Sequence, residues 1–179
     1  MKLANILLNF PDNPEMNEMP REQKKKFLKK VDLTKINFEV KISDFGLSTI
    51  LDANNPNNTN LSICGTPLYS SPQLLLKKGY NAKVDTWALG VVLYELLTGT
   101  TPFHSFEMKD LLNKIKIGKY SLNLNEPLII ESVLFLVQCL QSNEELRISK
   151  ESLHKHPFID LELTETPLIV EQFYKELNQ

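Results

Sequence analysis

The segment from Ala82 to Thr98 constrains the fold of this chain more than any other. Its apolar residues recur at helical spacing but cover most of the helix circumference instead of forming one stripe. Such a helix is stable only when protein surrounds it on nearly every side. Gly99 follows directly, and glycine at this position is typical of a helix end. We therefore expect one central buried helix. Its apolar residues are Val84, Trp87, Ala88, Val91, Val92, Leu96 and Leu97.

Other segments predict a bundle around that helix. Val40 to Ser43 alternates apolar and polar residues, which predicts a short half-buried strand. The fold class that follows is mainly α (α+β), a helical bundle with a minor β element near the start of the chain. Further helices are predicted at about 21–30, at 106–117 with Gly118 closing it, at 128–140, at 150–155 and at 168–177.

Composition narrows the function classes. The chain has 179 residues, 42% of them hydrophobic and 23% charged, with a net charge of -2, which fits one globular unit of ordinary core size. So small a net charge gives no reason to expect nucleic acid or an acidic membrane as partner. No apolar run approaches the roughly 20 residues that span a bilayer.

Cysteine usage points to a reducing compartment. Cys64 and Cys139 are the two cysteines, and neither belongs to a zinc-type or disulfide-type spacing. The apolar run near Met1 is too short for the core of a secretory signal. We therefore expect a cytoplasmic protein.

The polar stretch 9–37 contains three prolines and then the basic segment from Arg21 to Lys30, with six Lys or Arg residues. Phe27, Leu28 and Val31 would form the inner side of a short helix there. Its charges indicate either a solvated helix face or a docking surface for an acidic partner. Residues 52–62 are rich in Asn and lack periodicity, which predicts an exposed loop.

The sequence Asp44-Phe45-Gly46 has little meaning by itself, because three residues match often by chance. Its neighbours give it meaning by their order and spacing. They are KLANILL at 2–8, GTPLYSSPQ at 65–73, DTWALG at 85–90, Arg147-Ile148 and HPF at 156–158. The whole set resembles the second half of the signature of eukaryotic Ser/Thr protein kinases, and this resemblance covers almost the entire chain.

The resemblance implies a site for ATP and Mg²⁺. Asn5 and Asp44 would be the metal ligands, and Lys2 would neutralise the phosphate in transfer. Thr66 would line the site of the substrate hydroxyl, and Leu7 would form the floor of the adenine pocket. The expected reaction is transfer of the γ-phosphate of ATP to Ser or Thr hydroxyls of a protein substrate.

The resemblance also implies regulation. Ser62 lies four residues before Thr66, where related kinases are phosphorylated by an upstream kinase, and Thr59 is a competing acceptor. A phosphate adds nearly two negative charges and can order a loop against Arg or Lys.

Structural roles are implied for four more residues. Asp85 would be a buried aspartate that accepts backbone N–H groups of the catalytic loop, and Trp87 would anchor the hydrophobic spine. Arg147 ordinarily pairs with a glutamate at position 73, where this chain has Gln73. A neutral acceptor keeps one hydrogen bond but loses the bidentate pair, so we expect Gln73→Glu to stabilise the protein.

The resemblance predicts a kinase-type C-terminal lobe at 1–158, with an insert at 9–39 and an activation segment at 44–73, then a helical extension at 159–179. The Gly-rich loop, the strand lysine, its glutamate partner and the catalytic aspartate of the family are not in this sequence. The 179 residues alone are therefore expected to be inactive. The simplest account is an internal methionine taken as the start. The alternatives are a truncated, pseudokinase-like binding module, or a helical adaptor unrelated to kinases.

Overall fold

A computed structural model describes residues 1–50, 66–122 and 130–159, which form two compact units. The smaller unit is Leu3–Gly46, and the larger comprises Met1–Lys2 and Leu47–Gln179. The predicted extension at 159–179 lies, apart from its first residue, outside the described residues, and so does its helix.

The larger unit is helical. Its α-helices, numbered after two that belong to the smaller unit, are α3 (Pro72–Leu75), α4 (Lys83–Thr98), α5 (Met108–Ile117), α6 (Ile130–Cys139) and α7 (Lys150–His154). Each helix that periodicity predicts within the described part of this unit corresponds to one of these α-helices. The predicted and observed helix ends differ by at most two residues. The mainly helical fold class is confirmed.

The central helix α4 is largely buried, as predicted. Trp87 and Val91 have no exposed surface, and α4 packs against α3, α5 and α6 residues in one core. The exception is Leu96, which is 64% exposed near the end of the helix. Apolar periodicity overestimates burial there, since Leu97 in the same turn packs against the core while Leu96 faces solvent.

Glycines determine how closely α4 approaches α6 and where α4 ends. A Cβ atom built on Gly90 would lie 2.7 Å from Cβ of Cys139 and 3.0 Å from Cδ2 of Leu140, so α4 and α6 approach as closely as they do because this residue has no side chain. Gly99 has φ 77°, in the left-handed region that ends a helix. Gly118 ends α5 in the same way.

The smaller unit contains the strands β1 (Ile6–Asn9) and β2 (Glu39–Ile42), which pair antiparallel. Between them lie the helices α1 (Pro14–Glu18) and α2 (Arg21–Leu28). The side chains of Phe10 and Met16 are buried and form a small core. The basic helix predicted from the sequence is thus present, and Phe27, Leu28 and Val31 are each half-buried.

The prediction of a half-buried β2 is wrong. All four of its residues are exposed, including Val40 at 59% and Ile42 at 53%. These two side chains pair with Leu8 and Ile6 across the ladder. A two-stranded sheet buries an apolar face only when another layer covers it, and within the described part of this unit that face stays open.

None of the helices in the described residues is long and apolar enough to cross a lipid bilayer.

Candidate active site

Pairing of the two strands brings Asn5 and Asp44 together. Asn5 ends a short 3-10 turn just before β1, and Asp44 follows β2 by two residues. Both the backbone N–H and the hydroxyl of Ser43 donate to the carbonyl of Asn5, at 2.9 and 3.1 Å. Nδ2 of Asn5 donates to Oδ2 of Asp44 at 3.1 Å. A carboxamide and a carboxylate 39 residues apart therefore lie side by side.

Asp44 adopts an uncommon backbone conformation. Its φ is 65°, in the left-handed region, where Asp and Asn are enriched among residues other than glycine. Such a conformation costs free energy and persists where the surrounding structure maintains it, as in turns and at functional sites. Here the ladder β1–β2 and the hydrogen bonds of Ser43 provide that support.

The two side chains fit a magnesium ion. Amide and carboxylate oxygens are hard ligands, and Mg²⁺ commonly keeps several waters and uses one or two carboxylates together with substrate phosphates. Asp44 is exposed and Asn5 half-buried, so a hydrated metal–phosphate group can reach both. In the described ranges, His, Cys, Asp and Glu form no group of three or more that could hold a metal alone. Such a site would depend on oxygens that a ligand supplies.

Leu7 lies on β1 in the same unit, opposite Lys41 in the ladder. It is 50% exposed. Neighbouring residues of a strand face opposite sides, so Leu7 lies on the face away from Ile6 and Leu8.

Lys2 and Thr66 belong to the larger unit, and both are half-buried. Their proposed roles on phosphate and substrate therefore stay predictions. Ser62 lies outside the described residues, as does the whole of the predicted loop at 52–62.

The segment after Thr66 is anchored to the central helix. The carbonyl of Thr66 accepts a hydrogen bond from the N–H of Tyr69 at 3.0 Å and so starts a 3-10 turn, Pro67–Tyr69. The hydroxyl of Tyr69 donates to the carboxylate of Glu95 on α4. The sequence gives no signal of this contact, because nothing in the spacing of a tyrosine and a glutamate 26 residues apart marks them as partners.

Among the residues of the larger unit that the structure describes, Arg147 is the most enclosed charged residue, with 1% of its surface exposed. Its guanidinium lies 5.1 Å from the ring centre of Trp87, close enough for a cation–π contact. Nη2 donates to Oε1 of Gln73 at 3.0 Å, so the single hydrogen bond expected of a neutral acceptor is present. Backbone carbonyls accept the remaining bonds: Nε and Nη2 donate to Gln141, and Nη1 donates to Lys83.

Burial lowers the pKa of Arg147 to about 10, and the carboxylate of Glu144 opposes this shift. Oε1 of Glu144 is itself buried and has no hydrogen-bond partner. Glu144 thus supplies negative charge near Arg147, whereas the resemblance implies a glutamate at position 73 that this chain replaces with Gln73. The closeness of Glu144 in sequence to Arg147 was the available signal.

The prediction that Asp85 is buried is wrong for this structure. Asp85 lies exposed in the first turn of α4, where a carboxylate interacts favourably with the helix dipole and with water and needs no buried donors. Trp87, two residues later, is fully buried and stacks on Phe103, with ring centres 5.6 Å apart. Its structural role is therefore supported, whereas that of Asp85 is not.

A family comparison agrees with the order of these motifs: the protein kinase domain matches residues 1–159. The serine/threonine-protein kinase PLK4 of Danio rerio is 36% identical over 120 residues, or 67% of this chain and 12% of that protein. The probable cell cycle serine/threonine-protein kinase CDC5 homolog of Encephalitozoon cuniculi is 35% identical over 124 residues, or 68% of this chain and 26% of that protein.

A third relative is the serine/threonine-protein kinase atg1 of Dictyostelium discoideum, 34% identical over 122 residues. The match covers 68% of this chain and 18% of the relative. The chain thus spans between 12% and 26% of the length of these three proteins.

Proposed function

Because this chain belongs to the protein kinase domain family, and its relatives are Ser/Thr kinases, we propose that the protein transfers the γ-phosphate of ATP to Ser or Thr hydroxyls of protein substrates. The observation that carries this proposal is the side-by-side placement of Asn5 and Asp44, 3.1 Å apart, with Asp44 in a left-handed conformation. Two oxygen ligands at the end of a strand pair are what a metal–phosphate site requires.

Each residue has a defined task in this proposal. Asn5 and Asp44 hold Mg²⁺, which when bound would neutralise charge on the triphosphate. The exposed side chain of Leu7 gives an apolar surface for the adenine ring. Lys2 stabilises the phosphate in transfer, and Thr66 positions the substrate hydroxyl. The 179 residues alone are expected to be inactive, because their sequence contains no Gly-rich loop or strand lysine for the remaining phosphates.

Regulation is part of the proposal. An upstream kinase would phosphorylate Ser62, and the added charge would order the activation segment. We place this in the cytoplasm, consistent with Cys139 as a buried free thiol.

Manganese binding tests the metal site without requiring activity. Mn²⁺ accepts the same oxygen ligands as Mg²⁺, and its unpaired electrons broaden NMR signals of nearby amides. We expect amides around Asn5 and Asp44 to broaden first in the presence of ATP, and Asp44→Asn to abolish the effect. Asp32→Asn is the matched control, since Asp32 is an exposed aspartate of the same unit that bonds Thr34.

Broadening that is equal in both variants would overturn the metal assignment. Phosphate transfer from labelled ATP to a protein substrate, by a protein that includes the kinase elements named above, tests the reaction itself. Loss of transfer in Asp44→Asn, but not in Asp32→Asn, supports the proposal. Transfer that persists in Asp44→Asn contradicts it, and a chain that binds partner proteins without any transfer would be a binding module.

A further inference from the structure

The basic helix α2 lines a groove on the smaller unit. The groove is a shallow surface depression, open to solvent, with a volume of about 470 Å³. Its lining residues are Arg21, Lys24, Lys25, Leu28 and Lys29. They are spaced three, four, seven and eight positions from Arg21, so they share one face of the helix. Four cations and one apolar side chain therefore lie on the same face of α2.

Little within the smaller unit neutralises these cations. The ion pairs of the described residues join Lys35 to Asp32 and Lys41 to Glu39, and neither pair includes a residue that lines the groove. Lys24 is held by a backbone oxygen, since its Nζ donates to the carbonyl of Asn17 at 2.9 Å. Like charges three and four residues apart on a helix repel one another. The groove therefore carries positive charge that carboxylates of a partner would neutralise.

The groove also rests on a defined scaffold. The side chain of Asn17 bonds both backbone groups of Phe10, accepting from its N–H at 3.0 Å and donating to its carbonyl at 3.2 Å. Phe10 is fully buried and contacts the ring of Phe38. Through Lys24 and Asn17, α2 is tied to this small core. The backbone of α2 thus has a defined position, which sets the spacing of the Cα atoms from which the cations extend.

We propose that this groove binds an extended acidic protein segment with carboxylates at alternate positions. Arg21, Lys25 and Lys29 are four residues apart, which is about 6 Å along a helix. Alternate residues of an extended chain face the same side at about 6.6 Å spacing. Three alternate carboxylates can therefore meet three successive cations, while Leu28 offers an apolar contact to the ligand.

The chemistry of the groove favours a protein segment over a membrane or a nucleic acid. Membrane surfaces require several apolar side chains beside the cations, and the groove has one, Leu28. Single-stranded nucleic acids bind through aromatic side chains that stack on bases, and none lines this groove. Lysine, which makes up three of the four cations, acts as a point charge that suits separate carboxylates.

NMR titration of the full chain with two isomeric peptides tests the spacing. The first is blocked Glu-Ala-Glu-Ala-Glu, and the second is blocked Glu-Glu-Glu-Ala-Ala, which has the same charge. We expect the alternating peptide to shift amides of α2 and to bind about threefold more tightly than its isomer, and we expect both affinities to fall as salt is added. Equal affinities, or no shifts in α2 with several millimolar peptide, would overturn the proposal.

Charge reversal at two neighbouring positions of α2 tests which face of this helix binds the peptide. Lys25→Glu places a carboxylate in the groove, whereas Lys26→Glu makes the same change about 100° around the helix. Both residues lie in the last turn of α2, so the two variants alter its dipole interaction alike. We expect Lys25→Glu to weaken binding of the alternating peptide by about tenfold and Lys26→Glu by less than about threefold.

An equal loss of peptide affinity in the two variants would show that the peptide responds to net charge alone. That result would contradict binding at the groove. Circular dichroism establishes that both variants keep their helices. Vesicles containing anionic lipid and a single-stranded RNA oligonucleotide serve as competitors. Displacement of the peptide by either one at equal charge concentration would identify a different ligand class and overturn the assignment.

Discussion

The side-chain amide of Gln73 accepts one hydrogen bond and donates another beside the buried Arg147. Its Oε1 receives the hydrogen bond from Nη2 of Arg147 at 3.0 Å, and its Nε2 donates to the carbonyl of Ser142 at 3.0 Å. A glutamate could make the first bond but not the second. The amide is therefore matched to its surroundings, and the buried guanidinium already has the carboxylate of Glu144 nearby.

This arrangement reverses the expectation that Gln73→Glu would be stabilising. The variant would gain a charge-assisted bond to Arg147 but would leave the Ser142 carbonyl facing a carboxylate in a partly buried site. We predict a loss of about 1 kcal/mol in the free energy of unfolding, measured by urea titration. Gln73→Met removes both bonds and serves as a reference that should lose more. Greater stability of the Glu variant than of the wild type would contradict this prediction.

Gly90 sets the distance between α4 and α6. Gly90→Ala would place a methyl group 2.7 Å from Cβ of Cys139, which forces the two helices apart. We predict destabilisation of about 1 to 3 kcal/mol, despite the higher helix propensity of alanine. Leu96→Ala, at the exposed end of the same helix, should change stability by less than about 1 kcal/mol. Thermal unfolding of both variants gives the comparison, and an unchanged Gly90→Ala protein would show that α6 adjusts at little cost.

The 179-residue chain should bind MgATP weakly. It contributes Leu7 on one side of the adenine and the metal ligands Asn5 and Asp44, but no lysine or loop amides over the other phosphates. Charge-assisted bonds of that kind contribute roughly 1.5 to 3 kcal/mol each, so the loss of two or more weakens binding on the order of a thousandfold. Calorimetric titration of the purified chain should therefore give a millimolar dissociation constant. A micromolar value would reveal a nucleotide site of a different kind.

Phosphorylation of Ser62 should raise activity. In an active protein that contains the whole kinase domain, Ser62→Ala should lower the rate of phosphate transfer because the activation segment loses the charge that orders it. Thr59→Ala is the matched control, since Thr59 is the other acceptor in the same stretch. The rates are to be compared at equal phosphorylation of all other sites. A larger effect of Thr59→Ala than of Ser62→Ala would identify Thr59, and not Ser62, as the regulatory phosphorylation site.

Stability should fall as the pH rises above 9. Burial raises the pKa of the Cys139 thiol from its ordinary 9.0 to about 12. Between these values the unfolded state loses the thiol proton while the folded state keeps it, so unfolding becomes more favourable. Urea titrations at pH 8, 9 and 10 should show the decline, and Cys139→Ala should reduce its slope relative to the wild type. A slope that Cys139→Ala leaves unchanged would assign the decline to other groups, among them Tyr94 and Tyr120, whose pKa values burial also raises.

Local chemistry made several features predictable. The ends of α4 and α5 follow from Gly99 and Gly118, because a residue without a side chain adopts positive φ at little cost. The burial of Trp87 follows from apolar residues around most of one helix. The order of the motifs identified the family, since phosphate-transfer residues occur at characteristic positions along the chain. These properties depend on neighbouring residues or on the linear order of motifs.

Contacts between distant residues were decided only by the tertiary structure. Whether β2 is buried depends on what covers it, and its alternating pattern cannot show that Val40 and Ile42 remain exposed. The sequence showed that Gln73 is neutral. It could not show that Gln73 donates a second hydrogen bond to the carbonyl of Ser142, which lies 69 residues away. Asp85 was expected to be buried from motif resemblance and proved exposed. The physical reason is common to all three: burial and hydrogen bonding of a side chain are set by which surfaces the folded chain brings against it.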